Sequence, residues 1–213
     1  MPGHRTPGDP DESLIPHEGD LEPDEEYDGY LFAGASFDDN AATNCHFLDC
    51  AVANVSFGGG RLRRSRFTDV RMRDTRFVAS DLAETGWLDT HLTGCVLAGV
   101  QAFSASMRRV RFQDCKLDSV NFRSGTLTDV TFENCLLRDT EFGGARLLRV
   151  SFPGSTLTRV DFAKVTCTNV DLRGAGLGIT AGYESLRGAT IDGVQLVALA
   201  PLLARHLGIT VTD

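Results

Sequence analysis

The sequence predicts an all-β solenoid: short strands and corners wound around an apolar centre and closed by a short helical cap. Three observations predict it. Every fifth residue from Phe32 to Leu177 is apolar, without a slip of register over thirty positions. Two residues before each stands an uncharged and mostly small one, such as Cys45, Ser65, Val110, Gly125 or Val170, although 23% of the chain is charged. Finally, Cys95, Cys115 and Cys135 recur at intervals of twenty. A period this strict means that one small unit is stacked many times.

A period of five fits neither a helix nor a simple strand. Within a unit such as Val120-Asn121-Phe122 or Val130-Thr131-Phe132, however, the first and third side chains are apolar and the second is polar. That is a three-residue strand with two side chains facing in. The remaining pair, such as Arg123-Ser124 or Glu133-Asn134, is polar and turns the chain. From Phe112 to Phe162 the large slot alternates between Phe and Leu, which favours an even number of sides. The twenty-residue recurrence then gives four units per turn. Phe112, Phe132 and Phe152 are expected to stack in one column, and Phe122, Phe142 and Phe162 in another. Thirty units make about seven and a half coils, about 36 Å long at the ~4.8 Å spacing of adjacent strands.

The units VNFRS, VDFAK and VDLRG resemble those of the pentapeptide repeat family, and the resemblance covers residues 30–180. It implies a right-handed quadrilateral parallel β-helix. It also implies a function, because the best-characterised bacterial members bind DNA gyrase or topoisomerase IV and protect it from quinolones as mimics of a DNA duplex. Members with similar tails pair end to end.

The flanks differ in composition. Residues 1–29 hold ten acidic groups against one Arg, with five Pro and four Gly, and read as a disordered acidic tail. The repeat, residues 30–180, is slightly basic at +2, so the acidity behind the net charge of −8 is assigned to the tail, which carries −9. Residues 181–213 read as a C-terminal helical cap. Asp192 is the expected N-cap, and Pro201 implies a kink or two short helices. Val194, Val197, Leu199, Leu202, Leu203 and Leu207 supply more apolar surface than capping one coil end needs, so a homodimer through this segment is expected.

No eighteen-residue apolar run and no signal-like start are present, so the chain reads as soluble and cytoplasmic, without membrane contact. Five of the six cysteines fall in the small inward slot and Cys167 in the large one, as buried thiols rather than metal ligands. His4, His17, His46, His91 and His206 form no ligand or triad spacing and read as surface residues. Gly58-Gly59-Gly60 lacks the context of a phosphate loop and reads as a tight corner. No catalytic residue, metal or cofactor is expected, and a packed coil leaves no cleft for a substrate.

Three surface features stand out against the repeat. Phe103 alone of thirteen phenylalanines lies one residue past the inward slot, either as an exposed anchor or as a local distortion that replaces Ala102 in the core. Arg61, Arg63, Arg64, Arg66, Arg71, Arg73 and Arg76, offset by Asp69 and Asp74, give one coil a charge of +5 and suit an anionic partner. Leu48, Leu88 and Leu148, with Thr68, Thr128 and Thr168 between them, form a mildly apolar stripe. The expected function is non-enzymatic protein binding, with a type II topoisomerase as the leading partner. A general interaction scaffold, gated by the acidic tail, is the alternative. Nucleic-acid binding through the arginines is a minor one, because stacking aromatics are missing from the patch. Against duplex mimicry stands the +2 of the repeat; a single acidic face around Asp81, Glu84, Glu141 and Asp161 is what remains of it.

Overall fold

The computed structural model describes residues 13–212. They form a right-handed parallel β-helix of about eight turns with one C-terminal helix, α1 (Gly193–His206). Between Glu26 and Leu177 the rungs pair with the residue twenty further on, as in Trp87 with Met107, Leu97 with Leu117 and Val130 with Val150. Four pentapeptides therefore make one turn. One sheet of fifteen strands wraps two faces, those centred on Tyr27 and Phe32. A seven-stranded sheet forms the Phe37 face, and isolated bridges hold the fourth, the Ala42 face.

The core is a set of ring columns. Phe112, Phe132 and Phe152 stack with centroids 4.7 and 5.1 Å apart, and Phe122, Phe142 and Phe162 at 5.4 Å. The small slot admits polar atoms because they can donate to nearby carbonyls, most often the one 23 residues earlier. Ser155 Oγ donates to Phe132 O at 2.8 Å, Thr90 Oγ1 to Phe67 O at 3.2 Å and Cys50 Sγ to Tyr27 O at 3.1 Å. No buried hydroxyl or thiol in these columns need lose its hydrogen bond. Burial pushes the Cys45 and Cys50 thiols up.

The corners follow a rule of their own. Every fifth residue from Asp24 to Gly174, thirty-one in succession, has positive φ. Asp, Asn and Gly dominate there because they tolerate the left-handed region. Ala79, Arg109, Arg149 and Arg159 adopt it without that advantage.

Two boundaries differ from the sequence reading. Residues 13–29 are not a disordered tail. Ile15–Pro16 pairs with Tyr30–Leu31, Glu26–Asp28 pairs with His46–Leu48, and Leu14, Leu21 and Tyr27 are buried. Tyr27 keeps the five-residue register and stacks on Phe47 at 5.2 Å; the register slips only before it, where Leu21 rather than Glu22 turns inward. His17 is likewise not a surface residue. Its ring packs against Tyr27, Tyr30, Phe32 and Phe37 at 4.7–6.2 Å and closes the N-terminal end of the core. Residues 1–12, including His4, lie outside the described residues.

At the other end the coil does not stop at residue 180. Ala189–Thr190 pairs with Val170–Asp171 after a 3-10 turn at Tyr183–Leu186. Gly182 makes this possible: with φ +88, a Cβ there would lie 2.1 Å from Phe162 C. Asp192 and Gln195 cap α1 reciprocally at 2.9 Å. Gln195 Nε2 also donates to Leu172 O at 2.5 Å and Ala175 O at 2.7 Å, which pins the helix over carbonyls of the last coil. A single helix runs through Pro201 rather than two short ones. Among the described residues no helix is long and apolar enough to cross a membrane.

Candidate interaction surfaces

The outward positions divide the rod into zones of different charge. Residues 13–60 carry ten carboxylates and no Lys or Arg. All ten, among them Glu22, Asp24, Glu25, Glu26, Asp28, Asp38 and Asp39, are exposed. Residues 61–212 carry five more basic than acidic groups. The acidity assigned to a tail is therefore largely the surface of the first two and a half coils. Asp38 illustrates how it is held. Its carboxylate accepts from Ser56 Oγ at 2.8 Å and Gly58 N at 2.5 Å, and these bonds with Ser36 lower its pKa. Gly58 and Gly59 leave room beneath these acids: a Cβ at either would meet the Asp38 or Asp39 carboxylate within 2.7 Å and push that side chain aside, and Gly59 also takes the left-handed φ of +65. The triple glycine is thus a corner built under two acids.

The seven arginines do encircle one coil. Arg61, Arg63 and Arg64 lie on the Ala42 face, Arg66 on the Tyr27 face, Arg71 and Arg73 on the Phe32 face, and Arg76 on the Phe37 face. They are not equivalent. Arg63 reaches across Ala83 to place its guanidinium 5.2 Å from the Phe103 ring centre, and faces Asp81 at 3.5 Å and Glu84 at 3.8 Å. Phe103 therefore stays outside, half-buried, while Ala102 remains in the core. An aromatic does border the arginine coil, but its ring is engaged by Arg63. On the Phe32 face Arg71, His91 and Arg111 follow one ladder, and desolvation, then Arg111, holds His91 below the ordinary histidine range.

Beyond the arginine coil, charges pair between successive coils. Asp89 binds Arg109 and Asp129 binds Arg149, each at 2.5 Å, and Asp118 binds Arg138. The acidic face sketched from Asp81, Glu141 and Asp161 is a real column that also holds Gln101 and Asn121. Glu141 is matched by Arg123 at 3.1 Å, however, so the column is only partly acidic. The Leu48, Leu88 and Leu148 column also exists, with its leucines half-buried and Arg108 interrupting it.

The C-terminal residues split between two roles. Leu199 is buried against the coil and Leu202 and Leu203 are half-buried, whereas Val194, Val197 and Leu207 face outward. Leu196, Ile209 and Val211, which the sequence reading did not single out, are exposed with them. For Ile209 and Val211 the alternation after Gly208 was the available signal.

Residues 85–162 match the family model described as pentapeptide repeat region. A search of curated proteins gave no match. Among solved structures, the chain is similar to two trypsin-treated forms of QnrB1, described as a plasmid-mediated fluoroquinolone resistance protein. The first aligns at 18% identity over 92% of this chain and 100% of QnrB1, with a TM-score of 0.50. The second aligns at 18% identity over 88% and 99%, also with a TM-score of 0.50. HetL, a pentapeptide repeat protein involved in heterocyst differentiation regulation in the cyanobacterium Nostoc, aligns at 15% identity over 79% and 90%, with a TM-score of 0.36. At such identities the likeness is one of fold. Period, four-sided coil, left-handed corners and family match agree: this chain carries a pentapeptide repeat region and is built as a pentapeptide repeat β-helix.

Proposed function

We propose that the chain is a non-catalytic, cytoplasmic protein-binding rod that engages a type II topoisomerase, DNA gyrase or topoisomerase IV, as a partial DNA mimic, and that it works as a homodimer joined at its C-terminal end. One observation carries the reading: the ten exposed carboxylates of residues 13–60, with no Lys or Arg among them, sit on the ordered rod. These residues span about 12 Å of rod at ~4.8 Å per coil. The duplex carries one charge per ~1.7 Å, so the N-terminal coils, at about one per 1.2 Å, reach and exceed its linear charge density. The remainder of the rod, net positive, does not. Mimicry is therefore assigned to one end, where a basic protein groove would be attracted over about one Debye length.

The fold shared with QnrB1 supports the choice of partner class. The test is a gyrase supercoiling and cleavage assay with and without a quinolone. Inhibited supercoiling, or fewer drug-induced breaks, is expected; no effect at high protein excess removes the topoisomerase reading and leaves a general scaffold.

A second reading is favoured by the arginine coil, which suits an anionic partner. Retarded mobility of duplex DNA, lost on replacing Arg64, Arg66 and Arg76, is its signature.

A further inference from the structure

Of the nine large apolar side chains exposed among the described residues, six lie in the last twenty residues of the chain. Val194, Leu196, Val197, Leu207, Ile209 and Val211 are each between 53% and 81% exposed. Three belong to α1 and three to the segment after it. That segment leaves the helix by a defined route. Gly208, at φ +72, reverses the chain, Gly208 N donates to Arg205 O at 3.1 Å and Ile209 N to Ala204 O at 2.8 Å. This is a Schellman-type stop. Beyond it Ile209, Thr210 and Val211 alternate apolar and polar, the pattern of a strand that buries one side, yet both apolar side chains are exposed.

The segment cannot cover its own helix. Leu207 and Val197 are ten residues apart, about 15 Å along the axis, and Val194 is about 20 Å away at ~1.5 Å per residue. Ile209 to Val211 spans only about 7 Å. The row at the start of α1 and the arm after it therefore need different chains to meet. An antiparallel pair of α1 helices about a two-fold axis brings each arm beside the partner's Val194 and Val197. The area is adequate: six such side chains expose on the order of 600–700 Å² per copy, close to the ~800 Å² per partner of a standard interface.

We propose that residues 207–212 form an exchanged arm: in the dimer, Ile209 and Val211 of each copy lie against Val194 and Val197 of the other. The proposal rests on the dimer reading above and specifies which surfaces meet. Each such contact is self-complementary and closes after two copies.

Two measurements on the full-length chain test it. Sedimentation equilibrium compares the parent with the double variant Ile209→Asp, Val211→Asp, which leaves the α1 stop in place. The expected result is a dimer weakened at least about tenfold, since two buried aliphatic side chains are worth more than the ~1.4 kcal/mol of a tenfold change. An unchanged dimer overturns the arm and leaves dimerisation standing; a monomeric parent overturns both. In the second, chains carrying only Val197→Cys are mixed with chains carrying only Ile209→Cys under mild oxidation. A disulfide between the two kinds of chain is expected, and a dimer that forms none contradicts the exchange.

Discussion

The two ends of the rod face the same physical problem and answer it with opposite chemistry. A stacked coil has unpaired strand edges at both ends, which recruit other chains unless they are blunted or covered. At the N-terminal end the outermost strand of the Tyr27 face, Glu26–Asp28, turns Tyr27 inward and two carboxylates outward, and His17 closes the core over four aromatic rings. Such an edge repels a second copy of itself. At the C-terminal end Gln195 holds a helix over the last carbonyls, and that helix presents Val194 and Val197 to solvent. Such an end attracts a second copy. On the function proposed above, the difference separates two tasks on one scaffold: the apolar end would join copies, and the acidic end would be left free for a partner of opposite charge.

The comparison can be broken most severely at Gly182. Replacing it by Ala drives a Cβ into the Phe162 backbone and is expected to cost about 3 kcal/mol or more. Urea unfolding should show the loss, and the proposed dimer should dissociate with the cap. Next comes Tyr27→Ala, which removes a ring stacked on Phe47, with a cost of about 3 kcal/mol. Because a solenoid is held by nearest-neighbour coils, the damage should stay local. Hydrogen exchange should accelerate at Ile15 and His17, whose amides donate to Gly29 O and Leu31 O, and remain slow around Phe132. Equal acceleration throughout would mean that the rod melts as one unit.

Smaller changes sharpen the contrast between corners and coils. Ala79→Gly relieves a left-handed residue and should stabilise by up to about 1 kcal/mol in the same titration. Asp89→Asn removes an exposed pair with Arg109, and its cost should stay below the ~1 kcal/mol of surface ion pairs. The pH dependence has the same sign at both sites of depressed carboxylates. The Arg109 guanidinium lowers Asp89, and Ser56 with Gly58 N lowers Asp38. Each contributes stability above the ordinary Asp value and loses it as pH falls through the lowered one. Thermal unfolding should thus be insensitive to these groups at neutral pH and weaken only below about pH 4.

What was legible in the sequence was whatever repeats. The Phe112 and Phe122 columns and the inward cysteines follow from register alone, and the Asp192 cap from the change of pattern after the repeat. The N-terminal coil was hidden because its register slips at Glu22, although Asp24, Tyr27 and Gly29 already occupy their corner and core positions. His17, also in register, was obscured by its polar side chain. The surface was less legible, since it depends on residues twenty or forty apart. Arg63 and Phe103 meet only because the coil places them two turns apart on one face, with Ala83 between. The location of the acidity changed with the fold: the same carboxylates mean one thing in a tail and another on a rigid edge.

The most direct test of the assignment of tasks uses one gyrase supercoiling titration with three full-length proteins. These are the parent, a variant with Glu22→Gln, Glu25→Gln, Glu26→Gln and Asp28→Asn, and a charge-preserving control, Asp129→Asn with Arg149→Gln, in the middle of the rod. The account predicts inhibition by the parent and the control, and inhibition weakened at least about tenfold in the N-terminal variant, with the difference shrinking as salt is raised. Equal inhibition by all three, or none by the parent, would contradict it.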